Sequence, residues 1–277
     1  MSTKFLHVSN GTLAFDDSGG SGPLVVMVPG MGDVRAEYRF LAPKLAAAGY
    51  RVVTMDLRGH GESSADWPDY SIEAVGRDML ALVDHLNAGP ATLVTTSYPT
   101  GAAVCAAAER PDAIRALVLI GAFVRDPEMS ALQKLMLGLL LKGPWRVRAW
   151  DMYYNSLYPS QKPADLGGYR RELRANLSEP GRFEALKAMS GEPRIESERR
   201  LGQVQASALV VMGSKDPDFP SPEAEAQFIA QQLAGQILMV DGAGHYPHAE
   251  MPDVVIPAML KFLAEVTQRN GTTTRTN

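Results

Sequence analysis

The chain has 277 residues, a length that suits one large α/β domain or two small ones. Its 45% apolar and 21% charged residues exclude a disordered, collagen-like or coiled-coil chain. A net charge of −4 gives no electrostatic case for nucleic acid, and the one cysteine, Cys105, excludes an intramolecular disulfide and a cysteine-rich metal site. A single thiol fits a reducing compartment. The start, Met1 to His7, has no apolar stretch after its charge and does not read as a signal peptide. The longest apolar cluster, Leu135 to Leu141, falls far short of the ~20 residues a membrane helix needs. These features lead us to expect a cytoplasmic protein with no membrane partner.

Two short strands are predicted first, Thr3–Val8 and Thr12–Asp16, around the turn Ser9-Asn10-Gly11. Leu24–Val28 is an apolar run closed by Pro29-Gly30. Glu37–Ala48 has helical spacing, with Phe40, Leu41, Leu45 and Ala48 on one face and Gly49 at the C-terminal glycine position. A strand over Arg51–Met55 and an amphipathic helix over Ile72–Leu86 follow. The pattern repeats as strand Ala91–Thr95, helix Gly101–Glu109 and strand Ala116–Ile120. It resumes as strand Ala208–Met212, helix Pro222–Leu233, strand Gln236–Val240 and helix Val254–Val266. Val/Leu-rich strands alternating with helices predict a mostly parallel sheet covered on both faces. Between Arg125 and Arg200 the alternation stops, and an apolar and aromatic stretch without a good strand reads as a helical cap. The expected division is a core of residues 1–125 and 201–268, a cap of 126–200, and a polar tail of 269–277.

Ligands of open parallel sheets sit beyond the carboxyl ends of the strands. Four segments stand there: Pro29 to Asp33, Thr95 to Pro99, Gly213 to Asp216, and Gly242 to His245. They supply a serine, an aspartate and a histidine in that order. With Asp56-Leu57-Arg58-Gly59-His60-Gly61-Glu62-Ser63 and Gly244-His245-Tyr246-Pro247-His248, the chain resembles the α/β-hydrolase superfamily over nearly its full length. It looks most like bacterial esterases, lactonases and cofactor-free perhydrolases with a helical cap.

The resemblance implies an α/β-hydrolase fold and a serine hydrolase that needs no cofactor and no metal. Ser97 is the expected nucleophile, since a hydroxyl on a strand–turn–helix elbow is exposed to a base; its alternative is a helix N-cap. His245 is the expected base and Asp216 the acid that orients it. His248 and Asp126 are the rivals for those two roles, and Asp218 reads as a solvated turn residue. The backbone amides of Met31 and Tyr98 are the expected oxyanion donors. Trp145, Trp150, Tyr153, Tyr154 and Phe219 are the expected lining of a pocket for a small ester or lactone. Arg35 and Arg39 read as solvated. The elbow departs from Gly-x-Ser-x-Gly, with Thr95 and Pro99 in the glycine positions, and Pro99 is expected to bias Tyr98 towards extended backbone. The same triad also serves carbon–carbon bond hydrolysis, acyl transfer and perhydrolysis, and the altered elbow leaves room for a weakly catalytic small-molecule receptor or a non-hydrolytic protein of this fold. A monomer or homodimer is expected.

Overall fold

A computed structural model describes residues 3–126 and 131–273. In chain order, β1 (Lys4–Val8), β2 (Gly11–Asp17) and β3 (Leu24–Val28) lead to α1 (Ala42–Ala47), β4 (Arg51–Met55), α2 (Ile72–Leu86), β5 (Ala91–Thr96), α3 (Pro99–Glu109) and β6 (Ile114–Ile120). Among the described residues, five helices follow without a strand: α4 (Ala131–Leu140), α5 (Arg146–Ser156), α6 (Leu166–Leu177), α7 (Arg182–Gly191) and α8 (Ile195–Arg200). The chain then closes through β7 (Ser207–Gly213), α9 (Pro222–Gln232), β8 (Gln236–Val240), α10 (Pro247–Glu250) and α11 (Pro252–Thr273).

The strands form one sheet in the order β1-β2-β4-β3-β5-β6-β7-β8. The β1–β2 and β2–β4 pairs are antiparallel and the other pairs are parallel. Side chains alternate across the pleat, and both faces are buried. Val26, Val28, Leu93, Leu117, Leu119 and Val210 point into one core with α2, α3 and α9. Val25, Met27, Val94, Val118, Ile120 and Val211 point into the other with α1 and α11. The chain leaves β3 for β4 on one side and returns to β5 on the other. That switch leaves the loops after β3 and β5 side by side at the carboxyl edge, with Val28 registered against Thr95.

Two elements depart from the sequence expectation. The helix expected over Glu37–Ala48 is divided into a 3₁₀ turn, Arg35–Tyr38, and α1, while Ala48 is exposed. Pro43 sits in the first turn of α1, where its missing N–H costs nothing; farther inside one continuous helix it would remove a hydrogen bond. At the other end, α11 runs to Thr273, past the start of the expected tail, because the polar residues after Val266 simply continue its backbone ladder. The remainder of that tail lies outside the described residues. Among the described residues, no helix is long and apolar enough to cross a membrane.

Candidate active site

Ser97 follows β5 directly and has φ 62°, the left-handed region that a non-glycine residue enters only under constraint. Its neighbours supply the constraint. The Ser97 amide donates to Ile120 O (2.8 Å), and Thr100 donates to Ser97 O from both its amide (3.0 Å) and its hydroxyl (2.6 Å). Tyr98 is right-handed helical (φ −47°, ψ −46°), so Pro99 does not impose the extended backbone expected of a residue before proline. Its buried ring is anchored by a hydroxyl bond to Tyr70 O (2.7 Å), and Pro99 occupies the first turn of α3, where no N–H is needed. The elbow therefore forms without its two glycines. Thr95 is fully buried, and its hydroxyl finds no partner among the described residues.

Across the edge, His245 Nδ1 lies 2.7 Å from Asp216 Oδ2, and both side chains are almost wholly buried. Asp218 Oδ2 lies 3.7 Å from the same nitrogen. Burial opposes the imidazolium, but the charge and hydrogen bond of Asp216, with Asp218 and Glu37 behind, outweigh it and raise His245 to about 9. Two backbone clamps hold the loop. The His245 amide donates to Leu157 O (3.0 Å) and the Gly244 amide to Glu250 Oε2 (2.7 Å). Gly121, directly after β6, has φ 52°, and a Cβ there would lie 2.8–2.9 Å from His245 Cε1, Nδ1 and O. A Cβ on Gly30 would meet Ser97 Cβ at 3.4 Å and the Tyr246 hydroxyl at 3.3 Å. A side chain at Gly121 would therefore force His245 to move, and one at Gly30 would press closely on Ser97 and Tyr246.

Behind that loop lies a buried acidic cluster. Asp33 accepts hydroxyl bonds from Tyr154 (3.0 Å), Tyr169 (2.6 Å) and Tyr246 (2.7 Å). Burial and the nearby Glu37 carboxylate push Asp33 up to about 8 against the pull of those three donors. Glu37 accepts the Gly30 amide (2.7 Å), and its other oxygen lies 3.1 Å from His248 Nε2. His248 therefore belongs to this cluster, and His245 takes the place beside Asp216.

The chain matches the family described as "alpha/beta hydrolase fold" over residues 23–252. It belongs to the α/β-hydrolase family. Among its relatives, the Karrikin insensitive 2 receptor IA of Petunia hybrida is 26% identical over 87% of this chain and 90% of its own length. The mouse sn-1-specific diacylglycerol lipase ABHD11 is 26% identical over 87% of this chain and 81% of its own. The structure of bromoperoxidase from Bacillus anthracis superposes with a TM-score of 0.82 at 19% identity, covering 95% of this chain and all of that one.

The other expected residues of this α/β hydrolase are distributed unevenly. Met31 is half-buried after Gly30 and packs with Trp150 and Tyr153. Trp150 presses on the same loop: a Cβ on Gly32 would lie 2.6 Å from its Nε1, an N–H with no partner among the described residues. Tyr153 donates its hydroxyl to both oxygens of Asp218 (2.7 Å each), and Phe219 packs at a tilt on Phe123, 4.6 Å between centroids, and stacks beside His245. Two expectations are corrected. Tyr154 does not line the pocket, because its hydroxyl is spent on Asp33 and its ring is buried among Tyr158, Tyr169 and Tyr246. Trp145 is 55% exposed, with Nε1 donating to Leu139 O (3.3 Å). α4 likewise turns Leu132, Leu135, Met136 and Leu139 to solvent rather than over the site.

Sequence reasoning also misjudged three charged positions. Asp218 is largely covered because Tyr153 and His245 close over it. Arg35 is mostly buried between Asp16, Asp56 and Glu62, and Arg39 is clasped by both oxygens of Asp165 while its guanidinium lies over Tyr169. Asp126, the rival acid, is engaged by Arg194 rather than by a histidine. Asp216, Asp218 and His245 bring three ligand-type atoms within 4.8 Å of one another. Since Asp216 and His245 are already bonded to each other, the trio reads as one imidazole between two carboxylates. A cleft of about 730 Å³ between Arg35, Arg39 and the α6 residues Glu172 and Asn176 includes none of Ser97, Asp216 and His245.

Proposed function

We propose that this chain is a serine hydrolase of small carboxylic esters or lactones, working without a cofactor. The observation that carries the reading is the buried Asp216–His245 bond at the same sheet edge as Ser97 in its left-handed turn. Ser97 Oγ attacks the carbonyl carbon, and its proton passes to His245 Nε2. Asp216 accepts the Nδ1–H, fixing the tautomer and stabilising the imidazolium. The Met31 and Tyr98 amides receive the oxyanion. Collapse breaks the bond to the alkoxy oxygen, which leaves with the proton from His245. Water then gives its proton to His245, attacks the acyl-enzyme, and the acid departs as Ser97 regains its proton. In a lactone the alkoxy group stays tethered, and the ring opens. The substrate pocket is assigned to Met31, Trp150, Tyr153 and Phe219.

A receptor reading has one specific support, the similarity to a karrikin-insensitive receptor combined with an elbow that lacks both glycines. A burst experiment with p-nitrophenyl acetate and butyrate separates the two. The expected result is a burst followed by steady turnover, both lost in Ser97→Ala. A burst without turnover favours the receptor reading. Unchanged hydrolysis in Ser97→Ala overturns the assignment of the nucleophile.

A further inference from the structure

Arg194 stands where the cap returns to the core, one residue before α8. It is nine-tenths buried. Its guanidinium carbon lies 5.4 Å from the centre of the Phe123 ring and 5.3 Å from that of Tyr98. Phe123 in turn faces His245 at 5.9 Å between centroids, and Tyr98 follows Ser97. A buried cation therefore sits across one aromatic ring from the imidazole and against the residue next to the serine.

Its compensation is thin. Nη1 reaches Asp126 Oδ1 only at 3.5 Å, and that carboxylate is 52% exposed. Nε is buried with no partner among the described residues. Arg58 shows what full compensation looks like in this fold. It holds both oxygens of Asp78 at 2.7 Å and donates to two backbone carbonyls. Burying a guanidinium costs free energy unless its charge and its donors are both met. The planar fork of Arg194 matches a carboxylate, which it can bind through two parallel N–H donors. Burial also lowers its hold on the proton, the expected mark of a cation short of anionic company.

We propose that Arg194 anchors a carboxylate on the substrate, so that the esters or lactones taken by this chain carry an anionic group away from the scissile carbonyl. The proposal rests on the serine-hydrolase reading for its reaction and on Arg194 alone for its selectivity. Phe123 and Tyr98 would form the apolar wall between the reacting carbonyl and the anchored end.

Two probe pairs test it. p-Nitrophenyl hemiglutarate against p-nitrophenyl butyrate places the carboxylate on the acyl side, and 4-acetoxybenzoate against phenyl acetate places it on the leaving group. The readout is the anionic-to-neutral ratio of kcat/KM, with Arg194→Met and Arg194→Lys beside the parent chain. In one pair the parent favours the anionic ester, and the ratio falls about ten- to hundred-fold in Arg194→Met, as for loss of a charge-assisted hydrogen bond. Partial retention in Arg194→Lys fits the same role. A parent that disfavours both anionic probes, or variants that lower both members of each pair alike, overturns the proposal. Calorimetric titration with glutarate and benzoate gives a second readout independent of turnover. Binding lost in Arg194→Met supports the anchor even if no ester is hydrolysed and the Ser97 reading fails. No binding to the parent overturns it even if neutral esters are turned over.

Discussion

Two carboxylates face His245 Nδ1, and Asp218→Asn separates their effects. The side chain keeps its shape, and its carbonyl still accepts the Tyr153 hydroxyl, but the charge is gone. A full charge 3.7 Å from Nδ1, at an effective dielectric of about 20, stabilises the imidazolium by about 4.5 kcal/mol, or about three pH units. The working effect is smaller. The Tyr153 hydroxyl donated to Asp218 disperses part of that field; burial and the neighbouring Asp216 push the Asp218 carboxyl up, while His245 and the same hydroxyl pull the other way. The expected displacement is about one pH unit. The sign follows from the proposed base role. His245 acts when unprotonated, and with its pKa raised to about 9 the parent gains activity as pH rises towards that value. Removing the charge lowers the pKa, so the acid limb of kcat/KM moves down and activity at pH 7 rises by about tenfold. The assay is a pH series with p-nitrophenyl butyrate, corrected for the fraction of burst-active sites. Asp216→Asn is the contrast: it loses the tautomer control and falls at every pH, on the order of 10⁴-fold in another triad. An Asp218→Asn limb that stays in place or moves upward refutes the reasoning.

Two further outcomes follow from the geometry. Gly121→Ala places a methyl 2.8–2.9 Å from His245 Cε1, Nδ1 and O, and one of those contacts is backbone; kcat is expected to fall by about 10²-fold, as for a misplacement of about 1 Å at a catalytic group. Unchanged kcat in a folded variant counts against this packing. Asp33, raised to about 8 in the fold from an ordinary 3.8, keeps a proton that the unfolded chain has released between those values. Its stabilising share is thus full below about pH 4 and is lost as pH rises to about 8. Asp33→Asn should flatten the decline of Tm between pH 5 and pH 8, and an equally steep decline in both proteins excludes Asp33 as its source.

The parts of this fold legible in sequence are those whose signals are local. β3, β5, β6 and β7 are runs of β-branched and aliphatic residues buried on both faces, and a short apolar run ending in glycine or serine needs no tertiary knowledge to be read as a strand. Ser97, Asp216 and His245 are legible because each directly follows such a strand or its turn. The acidic cluster is not local. Asp33 reads as a turn residue after Gly32, and the tyrosines that satisfy it are scattered over two cap helices and the His245 loop. No spacing rule links residues 33, 154, 169 and 246. The same cause hid Arg35, Arg39 and Asp218, charged residues whose partners come from elements distant in the chain. For the divided helix the signal was present in Pro43, but the periodicity of Phe40, Leu41 and Leu45 masked it.

Three carboxylates join the helical segment 131–200 to the loops of the proposed site. Asp33 ties the loop after β3 to α5, α6 and the residue beside His245. Asp218, next to His245 Nδ1, takes the hydroxyl of Tyr153 from α5. Glu250 accepts the amides of Ser160 and Gln161 from the cap with one oxygen and Gly244 of the histidine loop with the other. In each case one carboxylate of the core accepts hydrogen bonds from the cap while also holding, or facing, a catalytic loop. Buried carboxyl groups tolerate little loss of donors, since an unmet buried acceptor costs more than the bond it replaces contributes. The cap cannot shift as a rigid lid without leaving these acids short of partners. Its position and the geometry of Ser97 and His245 are therefore set together. Change at Tyr153 acts on the imidazole through Asp218, and change at Tyr154 or Tyr169 acts on the loop after β3 through Asp33.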